Sequence, residues 1–292
     1  VDSPTRTKPT GYAMPGETRD VPLRPGFLPR AELQRLLDLL QQRGYLCLGP
    51  VAEEGAIVYR EVRRAERFPA GIGQEQVPGR YRLTETGGDR LFGWANGPQA
   101  LKPLLFAPRE TLWSARREAQ GGLRFALAPA EHEPLAVIGV RACDLAALAL
   151  QDRHFLQRPE PDPWYRARRE RLFLVGVDCT HPADTCFCAS TGDGPALEYG
   201  YDLGLSEISE GFLVLPGSAQ GSSLLAALEL EPASLEQLDR ASNEVMEAAA
   251  RQTRALPSRQ LRDDLYGQLD HARWQEVAQR CLACGNCTSV CP

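Results

Sequence analysis

The sequence predicts an α/β body with a small parallel sheet, followed by a helical C-terminal module. Three observations predict it. PLAVIGV at 134–140 and RLFLVGV at 171–177 are short apolar runs rich in β-branched residues, which suits buried parallel strands. Between them DLAALALQDRHFL at 144–156 reads as a helix, so the three form a strand–helix–strand unit whose crossover is almost always right-handed. From 221 to about 280 the chain reads as mostly helical, and it closes on CLACGNCTSVCP. The expected divisions are an extended arm over 1–27, the α/β body over 28–220, and a helical segment over 221–292 that leads into the cysteine-rich end.

The elements are justified in order along the chain. Residues 1–27 hold five prolines and little apolar pattern, which predicts an extended arm. AELQRLLDLLQQ places leucines at helical spacing over about 30–43, and Gly44 stops that helix. YLCLGPV and AIVYREV predict two short strands joined by a turn. Residues 66–110 are rich in Gly, Pro and Arg, and YRLTETGGDRLFGW within them suggests a hairpin. EYGYDLGLSEISEGFLVLPG predicts a strand pair after residue 195. SSLLAALELE, PASLEQLDRASNEVMEAAARQT and ARWQEVAQR supply the helices beyond it.

Composition narrows the function. A net charge of -5 gives no general attraction to nucleic acid. No apolar run reaches the ~20 residues that span a bilayer. The first residues also lack a hydrophobic signal core, so a cytoplasmic location is expected. In a reducing compartment the nine cysteines point to metal binding or redox chemistry rather than disulfides.

Cys281, Cys284, Cys287 and Cys291 follow the spacing C-x2-C-x2-C-x3-C-P, the bacterial ferredoxin run for a [4Fe–4S] cluster. Soft thiolates suit the corners of a cubane, and two-residue gaps let one short loop wrap three irons. Gly285 and Asn286 stand where that loop turns tightly and can aim N–H groups at sulfur. A zinc site is the competing reading. In two-cluster ferredoxins the fourth Cys of such a run serves the other cluster. On that pattern a second run is expected beyond Pro292; the alternative is that Cys291 closes a single cluster here.

A second set is less regular. LAVIGVRACDL and LFLVGVDCTH each end an apolar strand in Gly-Val, with a cysteine within three residues. Parallel neighbouring strands would bring Cys143 and Cys179 to the carboxyl edge of the sheet, where open α/β sheets place ligands. Cys186 and Cys188 follow at once. Three readings stand: an irregular [4Fe–4S] site, a zinc or dithiol site, or inert buried cysteines. Asp144 is either an oxygen ligand or the cap of the following helix, and Arg141 either offsets the charge of a thiolate-ligated cluster or is merely solvated. His181 is a weak candidate within the cysteine loop, and Cys47, far from both sets, reads as a core residue.

GVRACDL, DRHFL, DCTHPADTCFCASTGDGP, CLACGNCTSVCP and the earlier GPQALKPLLFAPRETLW together resemble the beta, iron–sulfur subunit of cytoplasmic nickel–iron sulfhydrogenases. They are also similar to the corresponding subunit of anaerobic sulfite reductase. The resemblance runs from about residue 28 to 292. It implies an electron-transfer subunit without its own substrate site, ending in a ferredoxin-like module. It implies one [4Fe–4S] cluster in the body and at least one at the C-terminus. The implied partners are a flavin subunit linked to NAD(P)H and a hydrogenase or sulfite reductase catalytic subunit. Two alternatives remain: a terminal sulfur or polysulfide reductase acting at the irregular cysteines, and a zinc-stabilised assembly module.

Overall fold

The two apolar runs ending in Gly-Val lie side by side. In the computed structural model, which describes residues 25–97, 101–119, 121–128, 132–257 and 260–291, they belong to a sheet of eight strands. The strands are β1 (Gly26–Pro29), β2 (Leu46–Glu53), β3 (Ala56–Glu61), β4 (Ile72–Val77), β5 (Arg80–Glu85), β6 (Trp113–Arg117), β7 (Leu123–Leu127), β8 (Leu135–Val140), β9 (Leu172–Val177), β10 (Leu203–Ile208), β11 (Gly211–Pro216) and β12 (Glu231–Pro232). The main sheet has the order β12-β1-β11-β10-β9-β8-β2-β3; β4–β5 and β6–β7 are separate hairpins.

The helices are α1 (Leu33–Gln42), α2 (Lys102–Leu105), α3 (Ala142–Leu156), α4 (Pro163–Arg169), α5 (Cys188–Thr191), α6 (Ala219–Leu228), α7 (Leu235–Ala250), α8 (Leu261–Tyr266), α9 (Ala272–Gln279) and α10 (Asn286–Val290). Strands β2, β8, β9 and β10 are parallel; β3 and β11 flank them antiparallel. The parallel sheet read from the sequence is thus the centre of a larger mixed one. Short turns cause the difference. Glu54 and Gly55 are both left-handed (φ 50 and 78), the geometry that folds β3 straight back on β2.

Both faces of the sheet are covered, which is why the central strands are apolar throughout. On one face Ala136, Ile138, Phe173, Val175, Leu203 and Leu205 pack under α1 and α6. The alternating residues Val137, Val140, Leu172 and Leu174 face the other way, onto α2, α3 and α4. Helix α1 gives Leu33, Leu36, Leu37 and Leu40 to the core, one stripe at helical spacing. A single 3-10 turn, Arg30–Glu32, leads into it, and Gly44 (φ 84) follows its end. Helix α7 covers Ile208 and Leu213 through Ala241.

Two expectations change. The hairpin near residue 80 lies upstream of the stretch YRLTETGGDRLFGW: β5 pairs back with β4, because Pro78-Gly79 (Gly79 φ 78) makes the turn. The remainder of that stretch is an irregular buried loop holding Leu91, Phe92 and Trp94. The arm read over 1–27 overlaps β1, which begins at Gly26; residues 1–24 lie outside the described residues. No helix among the described residues is long and apolar enough to cross a membrane.

Candidate metal centre

Parallel pairing in register, Leu135↔Leu172 through Ile138↔Val175, brings the carboxyl ends of β8 and β9 to the same edge. A bulge at Gly139 (φ 93) breaks the ladder just before that edge. A side chain there would press on Phe92 and Pro50, and its carbonyl accepts hydrogen bonds from Tyr59 Oη (2.9 Å) and Asn96 Nδ2 (3.2 Å). Bulges of this kind re-aim the residues that follow. Those residues are Arg141, at the N-cap of α3, and Cys143 in its first turn. Past β9 come Cys179, Cys186 and Cys188, the last opening α5.

Four thiols share this edge. Cys143 reaches the surface, Cys179 is buried, and Cys186 and Cys188 are half-buried. Surrounding protein pushes the Cys143 thiol well up, and Asp144, Cys188, Cys179 and Cys186 add to the shift. Burial also raises Cys186, against an N–H from Ala183 and the pull of Arg141. It raises Cys188 against a hydrogen bond from Gln252. Gly194 (φ 146) seats Cys188: a Cβ there would stand 3.3 Å from Cys188 Sγ and 3.2 Å from Ala142 Cβ. That puts Cys188 against the start of the helix that carries Cys143.

Arg141 is 1% exposed, so it is not the solvated residue its charge allowed. Its guanidinium donates to the carbonyls of Asp178 (2.7 Å), Val177 (3.4 Å), Phe92 (2.9 Å) and Trp94 (2.7 Å). It lies against the rings of Phe92 and Trp94, 5.8 and 5.1 Å from their centroids. Its Nε has no partner, and among the described residues no carboxylate pairs with it. A buried cation held by carbonyl dipoles alone is costly unless negative charge lies near. Thiolates at the neighbouring edge would be that charge.

Asp144 has other engagements. Its Oδ2 accepts the backbone N–H of Arg141 (3.0 Å) and Nδ2 of Asn96, closing the first turn of α3. Burial pushes its carboxyl up. The geometry is that of a cap. His181 Nδ1 is engaged by Thr180 Oγ1 at 2.9 Å, and burial with nearby Arg90, Arg251 and Arg141 lowers its pKa. Cys47 is 2% exposed within β2, and burial pushes its thiol up to about 11. It belongs to the core.

At the other end, Cys281, Cys284, Cys287 and Cys291 are all exposed. Ala283 (φ 51) and Gly285 (φ 75) bend the loop between α9 and α10, and Ala283 N–H donates to Cys281 Sγ at 3.3 Å. Lys102 Nζ donates to the carbonyls of Thr288 (3.4 Å) and Cys291, tying this end to α2. Among the described residues, no three His, Cys, Asp or Glu side chains converge on one ion-sized point. A tetrahedral zinc would need thiolates about 2.3 Å from its centre. A cubane puts each thiolate on a different iron and spans a wider space. The donors at both places are soft thiolates, with N–H groups aimed at sulfur, which fits an iron–sulfur cluster.

Sequence reasoning missed several contributors. Asn96, Gln252 and the Phe92 and Trp94 carbonyls carry no motif. Nor does Glu207, 2% exposed, which accepts from Leu91 N (2.7 Å) and Phe92 N (2.9 Å) and pairs with Arg30. It fixes the loop that holds Arg141.

Comparison with known proteins adds three findings. Residues 238–292 match the family model of the 4Fe-4S dicluster domain, a stretch containing all four C-terminal cysteines. The chain is 30% identical over 197 residues to sulfhydrogenase 2 subunit beta of Pyrococcus furiosus, covering 65% of this chain and 55% of that protein. The chain thus spans about half the length of the curated relative it matches. No solved structure matches. The chain is therefore similar to the beta subunit of a sulfhydrogenase over most of its length, and it carries 4Fe-4S dicluster sequence at its C-terminal end.

Proposed function

We propose that this chain is an iron–sulfur electron-transfer subunit of a multisubunit oxidoreductase, and that it performs no substrate chemistry of its own. Cys143, Cys179, Cys186 and Cys188 hold one [4Fe–4S] cluster in the body. Cys281, Cys284, Cys287 and Cys291 serve the dicluster end. The observation that carries the reading is the meeting of four thiols at one sheet edge beside a buried, unpaired Arg141. When bound, such a cluster passes one electron with little change of shape.

The protein's own part is to hold sulfur still and set its electrostatics. Parallel strands β8 and β9 fix the two chain segments, and Asp144 closes the first turn of α3 under Cys143. Arg141 offsets thiolate charge from within, where water does not screen it. Because the Asp144 carboxylate is engaged by Arg141 N–H and Asn96, the donor set is four thiolates. That supports a relay rather than a terminal sulfur or polysulfide reductase, which needs an open or oxygen-bound iron. The partners are a flavin subunit linked to NAD(P)H on one side and a hydrogenase or sulfite reductase catalytic subunit on the other.

The test is an iron and acid-labile sulfide count on anaerobically purified full chain, with Cys143→Ser beside it. The variant is expected to lose about four irons, the content of one [4Fe–4S] cluster, and to keep the C-terminal ones. Equal iron in parent and variant sinks the body cluster; colourless protein with zinc sinks the whole reading.

A further inference from the structure

We infer that Gln252 sets the reduction potential of the body cluster by donating a hydrogen bond to Cys188 Sγ, from a strap that connects the body cysteines to the C-terminal segment. The inference rests on the cluster proposed above and adds to it a residue that neither motif nor relative assigns.

Gln252 lies two residues past the end of α7, half-buried against α5. Its Nε2 is 3.3 Å from Cys188 Sγ, and its Oε1 accepts the N–H of Ala189 at 3.0 Å. The second contact fixes the amide's orientation. Ala189 N–H can only donate, so the oxygen must face it, and the NH2 group is left pointing at sulfur. A thiolate at Cys188 has no proton to give, which makes Gln252 the donor.

The neighbours of Gln252 are pinned to the same loop. The Arg251 guanidinium donates to Thr180 O, and Leu256 N–H donates to Ser190 Oγ at 3.1 Å. Ser190 Oγ in turn donates to Phe187 O at 2.8 Å. The strap over 251–256 thus touches the cysteine loop at residues 180, 188, 189 and 190. Its support is firm. Ser234 caps α7 with Gln237 in a reciprocal pair, and Arg90 holds Glu244 of that helix at 2.7 Å. A donor on a fixed support cannot swing away when the charge on sulfur changes.

An N–H aimed at a thiolate ligand stabilises the more negative, reduced state more than the oxidised one, so it raises the potential. Removing it favours oxidation. The readout is the midpoint potential of the reduced-state spin signal that Cys143→Ser removes, in the full chain kept anaerobic. Gln252→Leu is expected to keep the iron count and lose about tenfold in the reduction equilibrium, a fall of about 59 mV for one electron. Gln252→Glu keeps the acceptor for Ala189 N–H but has no donor for sulfur, and its potential is expected to fall further. A role in structure alone would leave the potential of Gln252→Glu at the parent value.

Unchanged potential in either variant, with iron retained, overturns the inference and leaves the body cluster standing. If Gln252→Leu loses its iron, the parent protein decides. With 15N in its glutamine side chains, a nitrogen coupling to that spin signal is expected, and its absence overturns the inference. Failure of the body cluster itself is read separately, from the iron count of Cys143→Ser.

Discussion

Arg141 shows how one side chain can join packing to chemistry. Four carbonyls from two separate segments take its N–H groups, so its removal strands them in the interior. Each buried polar group left without a partner costs about 1–3 kcal/mol. Arg141→Met is therefore expected to cost at least about 3 kcal/mol in urea unfolding of the iron-free chain. Arg141→Lys should recover only part, because an ammonium cannot reach both pairs of carbonyls as a planar fork does. Cys47→Ser makes the contrast. It buries a hydroxyl in an apolar site at about 1–3 kcal/mol, and the iron count should stay at the parent value. The eight cysteines outside the core were legible because spacing and strand endings mark them. Arg141 was legible as a charge beside Cys143 but not as a buried one, since exposure is decided by the loop that covers it. Gln252 was not legible at all: a glutamine past a helix end looks like any polar surface residue.

At the level of strands and helices, the stretch between β5 and α2 explains the largest misreading. Its apolar residues do not alternate, because Leu91, Phe92 and Trp94 enter the core from a loop. Glu207 on β10 makes that loop possible by accepting two of its backbone N–H groups. Such long-range acceptors leave no local pattern. Strand endings and turns did, which is why β8, α3, β9, β10 and β11 stand where periodicity put them. Asp202 offers a test of how β9, β10 and α6 are clamped. It accepts Leu174 N–H at 2.8 Å and Ser218 Oγ–H at 2.6 Å. Burial pushes its carboxyl up, and those two hydrogen bonds only partly oppose this. A carboxyl raised in the folded state is ionised at a cost. That cost is present above the folded pKa and relieved as pH falls toward the unfolded value of about 3.9. Relative to Asp202→Asn, the parent should therefore gain stability on acidification through that window. Urea midpoints of both chains across the acid range measure the difference.

Taken together, the chain is a finished sheet with two attachments that add little to its core. Hairpin β6–β7 is exposed along its length, with Trp113 57% and Phe125 63% accessible and their rings 5.4 Å apart. A two-stranded ribbon is at best marginally stable by itself. Changing both Trp113 and Phe125 to Ala is expected to leave the urea midpoint of the body within about 0.5 kcal/mol of the parent. A larger loss would mean that the ribbon is part of the cooperative unit. The C-terminal helices are also exposed throughout the described residues, with their cysteines on short loops. Their order was legible only as helical periodicity, since burial there depends on what the thiols hold.

The margins of the main sheet have a consequence for assembly. At one border β12 is only two residues long and ends in Pro232, which has no N–H to offer a neighbour. At the other, Tyr81 of the β4–β5 hairpin reaches over to the Ile57 N–H, and Arg60 and Glu61 place charges along the outermost strand. Copies of this chain therefore find no open backbone on which to anneal, and meetings with other proteins are left to side-chain surfaces.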